Sequence, residues 1–248
     1  IMIMQTIHYH WRIHLVTALL VFCSISISLG AEPSEYILSN GMKVLLVEVP
    51  KAPVATVQVW YKVGSRNEVM GRAGLSHMLE HMMFKGTARY PKGSFSRIVR
   101  KNGGIDNAFT GQDFTAYFEN VAADRVGLAL ELEADRMQGL LLDHSEFQTE
   151  RDVVKEERRL RSEDDPQGAL VEALFAQAFL SHPYHWPVIG WFADLDAMSL
   201  EDLQRHYDTF YSPNNATLVV VGDIKSDSLL PIIKRLFEPI PRGPSPKQ

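Results

Sequence analysis

The chain has 248 residues, 46% of them hydrophobic, enough for one sizeable core and unlike the composition of a disordered or fibrous protein. Lys and Arg number 25 against 30 Asp and Glu, a formal charge of −5, and no basic cluster stands out, so nucleic acid is not an expected partner. The one cysteine, Cys23, excludes an intrachain disulfide and leaves residues beyond it without a thiolate ligand or a Cys nucleophile.

Residues 1–31 read as a secretory signal peptide. Arg12 precedes an apolar run from Leu15 to Leu29, small residues follow at Gly30 and Ala31, and polar Glu32 and Pro33 come next. The expected location is therefore outside the cytoplasm, in a bacterial periplasm. An uncleaved membrane anchor is the alternative, although a run interrupted by Ser24, Ser26 and Ser28 is short for a spanning helix.

Residues 37–49 predict a hairpin around Asn40-Gly41, a pair suited to tight turns, and residues 54–63 a longer strand. A helix is predicted over 74–85, and it carries the most informative pattern in the chain, His77-x-x-Glu80-His81. Residues four apart on a helix lie one turn above each other, so both imidazoles and Glu80 share a side. Two neutral nitrogens beside a carboxylate suit Zn²⁺ with a general base, and the acid just before the second His is the inverzincin order. The same spacing also fits two surface histidines on an amphipathic helix.

A short helix is predicted over 94–102, closed by Gly103-Gly104, then strands over 105–110 and 114–121. Asn107 falls in the first of these strands, or alternatively in a turn after the glycines. Helical spacing continues over 123–142 and again over 145–161, a charged stretch in which Glu150 and Glu157 lie two turns apart on one face. Either could ligate a metal, or both could pair with Arg151, Lys155, Arg158 and Arg159 on an exposed helix. Glu156 points elsewhere and reads as solvated. Helices over 168–180, 200–210 (beginning at Ser199) and 228–237, with a buried strand over 216–221, complete the pattern. His182, His185 and His206 have no acid at ligand spacing and read as structural. Early strands, central helices and a late strand indicate an α+β fold with helices packed on one face of the sheet. No G-x-S-x-G elbow and no P-loop gives a serine hydrolase or a nucleotide enzyme a foothold.

The segments Val54–Gly64, Gly74–Thr87, Gly104–Tyr117, Glu150–Glu157 and His182–Gly190, in that order, resemble the N-terminal half of the M16 (pitrilysin/insulinase) metallopeptidases, and most of all their bacterial and mitochondrial-processing-peptidase-like branch. The resemblance runs from about Tyr36 to Ile240. It implies a mixed, mostly antiparallel sheet with helices on one face, one half of a clamshell. It implies one Zn²⁺ held by His77, His81 and Glu157, with Glu80 as general base and Glu150 supporting the site. Asn107 and Ala108 correspond to a strand that faces the substrate.

On this reading the protein is a zinc endopeptidase acting on extended peptides or unfolded segments. The alternative is a catalytically weak or silent subunit that needs a partner and serves assembly and substrate holding. Silent members typically lose a ligand or the base, and here all four residues are in place. Residues 32–240 are expected to form the peptidase domain, and Pro-rich 241–248 the start of an inter-domain linker. A homologous second half, in the same protein or separately encoded, is the expected partner alongside the peptide, and the chain is expected to be a weak peptidase without it.

Overall fold

A computed structural model of the protein describes residues 32–246. The signal-peptide expectation falls on residues outside that range.

Strands β1 (Ser34–Ile37) and β2 (Lys43–Glu48) form the first hairpin, which begins three residues earlier than the sequence suggests. Gly41 takes φ +91°, a conformation open to glycine at little cost, and Asn40 fastens the turn. The Asn40 side chain donates to the carbonyls of Phe237 (2.7 Å) and Ile240 (3.0 Å) and accepts from the Met42 amide, tying the hairpin to the far end of the chain.

Strands β3 (Val54–Tyr61), β4 (Ile105–Thr110), β5 (Thr115–Ala122) and β6 (Ala216–Gly222) complete one six-stranded sheet in the order β1-β2-β6-β3-β5-β4. Only the β2–β6 pair is parallel, so the sheet is mixed and mostly antiparallel, as expected. Period-2 alternation selects the faces. Val44, Leu46, Val57, Val59, Tyr61, Tyr117, Leu218 and Val220 are fully buried beneath the helices, whereas Trp60 clusters with the half-exposed Phe109 and Phe114 on the opposite face.

The helices are α1 (Leu75–Met82), α2 (Ser94–Lys101), α3 (Val126–Gly139), α4 (His144–Arg158), α5 (Pro166–Ala178), α6 (Phe192–Ala197), α7 (Leu200–Phe210) and α8 (Ser226–Phe237). Helix α3 starts three residues later than its apolar periodicity because Ala123–Arg125 is a 3₁₀ turn. Helix α4 loosens after Arg158 into a five-residue π-turn, Arg159–Glu163. Helix α7 opens on a capping box in which Ser199 and Asp202 bond each other's backbone N–H. Helix α6, only six residues long, has no counterpart in the sequence reading. Residues 241–246 carry no regular structure, and the Gly243 amide donates to Asn214. Among the described residues no helix is long and apolar enough to cross a membrane.

Candidate metal centre

Helix α1 is placed by its apolar side and by its first turn. Leu75, Met78, Leu79 and Met82 are buried in the core, which turns His77, Glu80 and His81 the other way. The first amides of a helix lack internal partners and need acceptors when buried. Gly74 supplies no side chain for this, so the acceptors arrive from elsewhere. Glu68 takes the Gly74 and Ser76 amides, both at 2.7 Å, and Asp194 takes Ala73 at 2.9 Å. Gly74 sits at φ +95°, and a Cβ there would lie 2.7 Å from the Ile189 carbonyl, so only glycine permits this approach. Ser76 bonds buried His206 of α7 at 3.0 Å.

Helix α4 runs alongside, capped by Asp143, which accepts from the Ser145 and Glu146 amides. Phe147 and Val154 anchor it in the core, and Glu150 and Glu157 both face α1. Glu156 is exposed and pairs with Arg159.

The Glu157 Oε2 atom lies 3.3 Å from His81 Nε2 and 3.7 Å from His77 Nε2. Among the described residues these three side chains alone place His, Cys or carboxylate donor atoms within 4.8 Å of one another. Donors bound tetrahedrally about 2.1 Å from one ion would stand roughly 3.4 Å apart, so the separations suit a zinc-sized cation and the N,N,O set suits zinc. Glu150 does not join the cluster. Its Oε1 lies 3.0 Å from His81 Nδ1, and its Oε2 pairs with Lys85. Glu150 takes up Nδ1, so Nε2 is the His81 nitrogen that faces the cluster.

The electrostatics agree with a site built for a cation. Burial and the neighbouring His81 pull His77 down to about 4. Burial also opposes charge on His81, but Glu150 and Glu157 outweigh it and lift that imidazole to about 9. The hydrogen bond with His81 holds Glu157 below its usual value. Burial raises Glu80, against the pull of a hydrogen bond from Thr110.

Asn107 lies within β4, so the strand is realised rather than the turn. Asn107, Ala108 and Thr110 line a cleft of ≈ 400 Å³ with His77, Glu80, His81 and Glu157. The cleft lies beside the edge strand of the sheet, since β4 pairs only with β5. His182 and His185 are engaged elsewhere, with the Tyr184 amide and the Ala176 carbonyl, and stay apart from the cluster.

The family model of insulinase (peptidase family M16) matches residues 43–190, and the model of the peptidase M16 inactive domain matches 197–248. The chain belongs to the M16 peptidase family. The zinc protease PqqE of Helicobacter pylori is 43% identical over 202 residues, covering 81% of this chain and 46% of that protein. An uncharacterized zinc protease of Bacillus subtilis, YmxG, is 32% identical, covering 82% of this chain and 49% of its own length. The crystal structure of a protease from Helicobacter pylori superposes with a TM-score of 0.85 at 40% identity, over 88% of this chain and 52% of that one. The first half of the periplasmic protease PqqL of Escherichia coli shares the fold, with a TM-score of 0.78 at 23% identity. The chain thus spans about half the length of the M16 relatives it matches.

Three contacts of this M16 site escaped the sequence reading. Lys85 lies three residues past the end of α1, where the chain turns, and pairs with Glu150. Thr110, two residues beyond Ala108, shares its strand face and reaches Glu80. Arg161, four residues past Glu157, bonds that carboxylate's Oε1 at 2.7 Å from within the π-turn.

Proposed function

We propose that this chain is the metal-bearing half of an exported zinc endopeptidase that cleaves extended peptides. The observation that carries the reading is the convergence of His77, His81 and Glu157 beside a carboxylate, Glu80, that takes no part in the cluster. One Zn²⁺ bound there supplies a Lewis acid, which polarises the scissile carbonyl and acidifies a water.

Glu80 then does the proton work. Thr110 holds Oε2, which leaves Oε1 to accept the water's proton and to return it to the departing amine. Glu150 fixes the His81 ring and its tautomer. Asn107 and Ala108 lie on the edge strand, whose outer N–H and C=O groups suit an extended peptide added as a further strand. A homologous second half, in the same protein or as a partner subunit, would enclose the peptide. That relatives are about twice as long supports this part of the reading.

Metal analysis of the purified protein tests the centre. One zinc per chain is expected, lost in the His77→Ala/His81→Ala double variant; zinc near one per chain in that variant would move the site elsewhere.

A further inference from the structure

Each of the two glutamates beside the cluster turns one oxygen towards an imidazole and gives the other to a cation. Arg161 bonds Glu157 at Oε1, and Lys85 bonds Glu150 at Oε2. The two cations are placed very differently. The Arg161 side chain is 68% exposed, where water screens the pair and leaves it a weak constraint. Lys85 and Glu150 are only 18% and 10% exposed, so their charges are poorly screened and each depends on the other.

Lys85 is also held from behind. Its amide donates to the Met82 carbonyl at 2.9 Å, which keeps the chain turning past the end of α1. Gly86 follows at φ +104°, and a Cβ there would lie 2.6 Å from both the Tyr90 carbonyl oxygen and the Lys92 nitrogen. The Gly86 carbonyl accepts from the Leu141 amide at 3.1 Å. The Lys85 side chain thus leaves a fixed point on the backbone and reaches across to α4.

His81 relies on Glu150 more than His77 relies on any neighbour. Glu150 Oε1 lies 3.0 Å from His81 Nδ1, whereas His77 Nδ1 is buried with no hydrogen-bond partner among the described residues. Of the two imidazoles, only His81 is steered by a carboxylate on its far side. A glutamate carboxylate turns easily about its last side-chain bond, so one contact to a ring does not fix its plane. A second contact, on the other oxygen, does so, and Lys85 supplies it.

Resting on the zinc-centre reading above, we propose that Lys85 is a positioning residue of that centre: by holding Glu150 Oε2 it keeps Oε1 on His81 Nδ1, and so keeps His81 Nε2 aimed into the cluster. Simple electrostatics points the other way. Lys85 lines the same cleft wall as Glu80 and His81, and a cation there repels a second cation. As a bare charge, Lys85 weakens zinc binding and its removal tightens it. As the anchor of Glu150, it strengthens binding and its removal loosens it.

Zinc affinity of the full chain, read at fixed pH and salt by competition with a chromogenic chelator, separates the two. Lys85→Met removes the ammonium and keeps the stem. It should bind zinc about tenfold more weakly than the wild type, the scale of loss when support of a metal ligand is removed. In a Glu150→Gln background the same change should weaken binding less than about twofold, because no carboxylate is left to hold. Lys85→Arg, which returns a cation to Oε2, should lose less than about threefold. Circular dichroism confirms that each variant is folded, and a Lys85→Met chain that is not folded is replaced by Lys85→Ala with the same expectation. Unchanged or tighter binding in Lys85→Met, an equal loss in the Glu150→Gln background, or a loss with Arg as large as with Met would overturn the role. A wild-type chain without zinc, or one that keeps zinc in the His77→Ala/His81→Ala variant, sinks the centre and the role together. Zinc that is lost in that double variant but indifferent to Lys85 sinks the role alone.

Discussion

A general base in a metal site must stand beside the ligands without becoming one. Glu80 meets that condition by its place on α1, one residue before His81, and by the Thr110 hydroxyl that holds one of its oxygens. Glu80→Gln keeps the shape and removes the base. It should retain full zinc content and lose at least about 10²-fold in peptide hydrolysis, measured in the protein with its second half; wild-type turnover at full metal content would take Glu80 out of the mechanism. Away from the site, Arg136 is a different kind of residue. It is buried with Glu119 and Glu133 and lies over the rings of Phe95 (4.3 Å) and Tyr117 (4.4 Å). Burial, and then the Glu133 carboxylate, push the Glu119 carboxyl well above its usual range, which favours its neutral form beside the Arg136–Glu133 contact. Removing the cation leaves a buried carboxylate without compensation. Arg136→Leu should therefore cost about 3–5 kcal/mol in urea unfolding, and Glu119→Gln, which mimics the protonated acid, less than about 1 kcal/mol. Costs in the reverse order would show that Glu119 carries the charge.

Among the elements, α1 is held from three directions: by its apolar face, by Glu68 and Asp194 at its first amides, and by the Ser76–His206 bond to α7. That last bond makes the α1–α7 contact sensitive to acid. Burial lowers His206 from the usual 6.5 to about 4, so the folded protein keeps it neutral where the unfolded chain would protonate it. The stability this contributes is present above pH 6.5 and drains away as pH falls from 6.5 to 4, by roughly 3 kcal/mol. A His206→Gln variant should show a flatter fall in unfolding free energy across that window; an unchanged slope would mean that other groups set the acid limb. Much of this element layer was legible beforehand, for reasons that differ by element. The spacing of His77, Glu80 and His81 put three groups on one side of α1, because a helical period is local information. Glu150 and Glu157 were legible as a shared face of α4, but not as ligand and supporter. Which one reaches the cluster depends on how deeply α4 packs, and the family resemblance supplied what the spacing left open. Helix α6 was missed because six residues hold too little periodicity to stand out. The Glu68 cap was invisible because the carboxylate and the amides it serves belong to different elements.

At the scale of the whole molecule, the arrangement of the strands departs most from anything read locally. Sequence patterns located β2, β3 and β6, yet nothing in them told that β6 lies between the other two. Its partners run from Lys43↔Thr217 on one side to Ala55↔Gly222 on the other. Consider then the order in which the chain leaves the ribosome. Residues 43–61 emerge early and present two apolar strand edges, and the strand that joins them begins only at Ala216, after all the intervening helices have been made. Until then those edges are free to pair with other chains, and the long separation between partners makes correct pairing slow. A chain stopped at Asn215 should therefore keep helical content but associate, appearing by size exclusion as oligomers or aggregate, whereas the chain through residue 246 stays monodisperse. A monomeric, cooperatively unfolding product ending at Asn215 would show that the early strands had found another way to close. In the cell, the same delay makes the last strand the step at which a nascent chain either completes its sheet or becomes a client for chaperones.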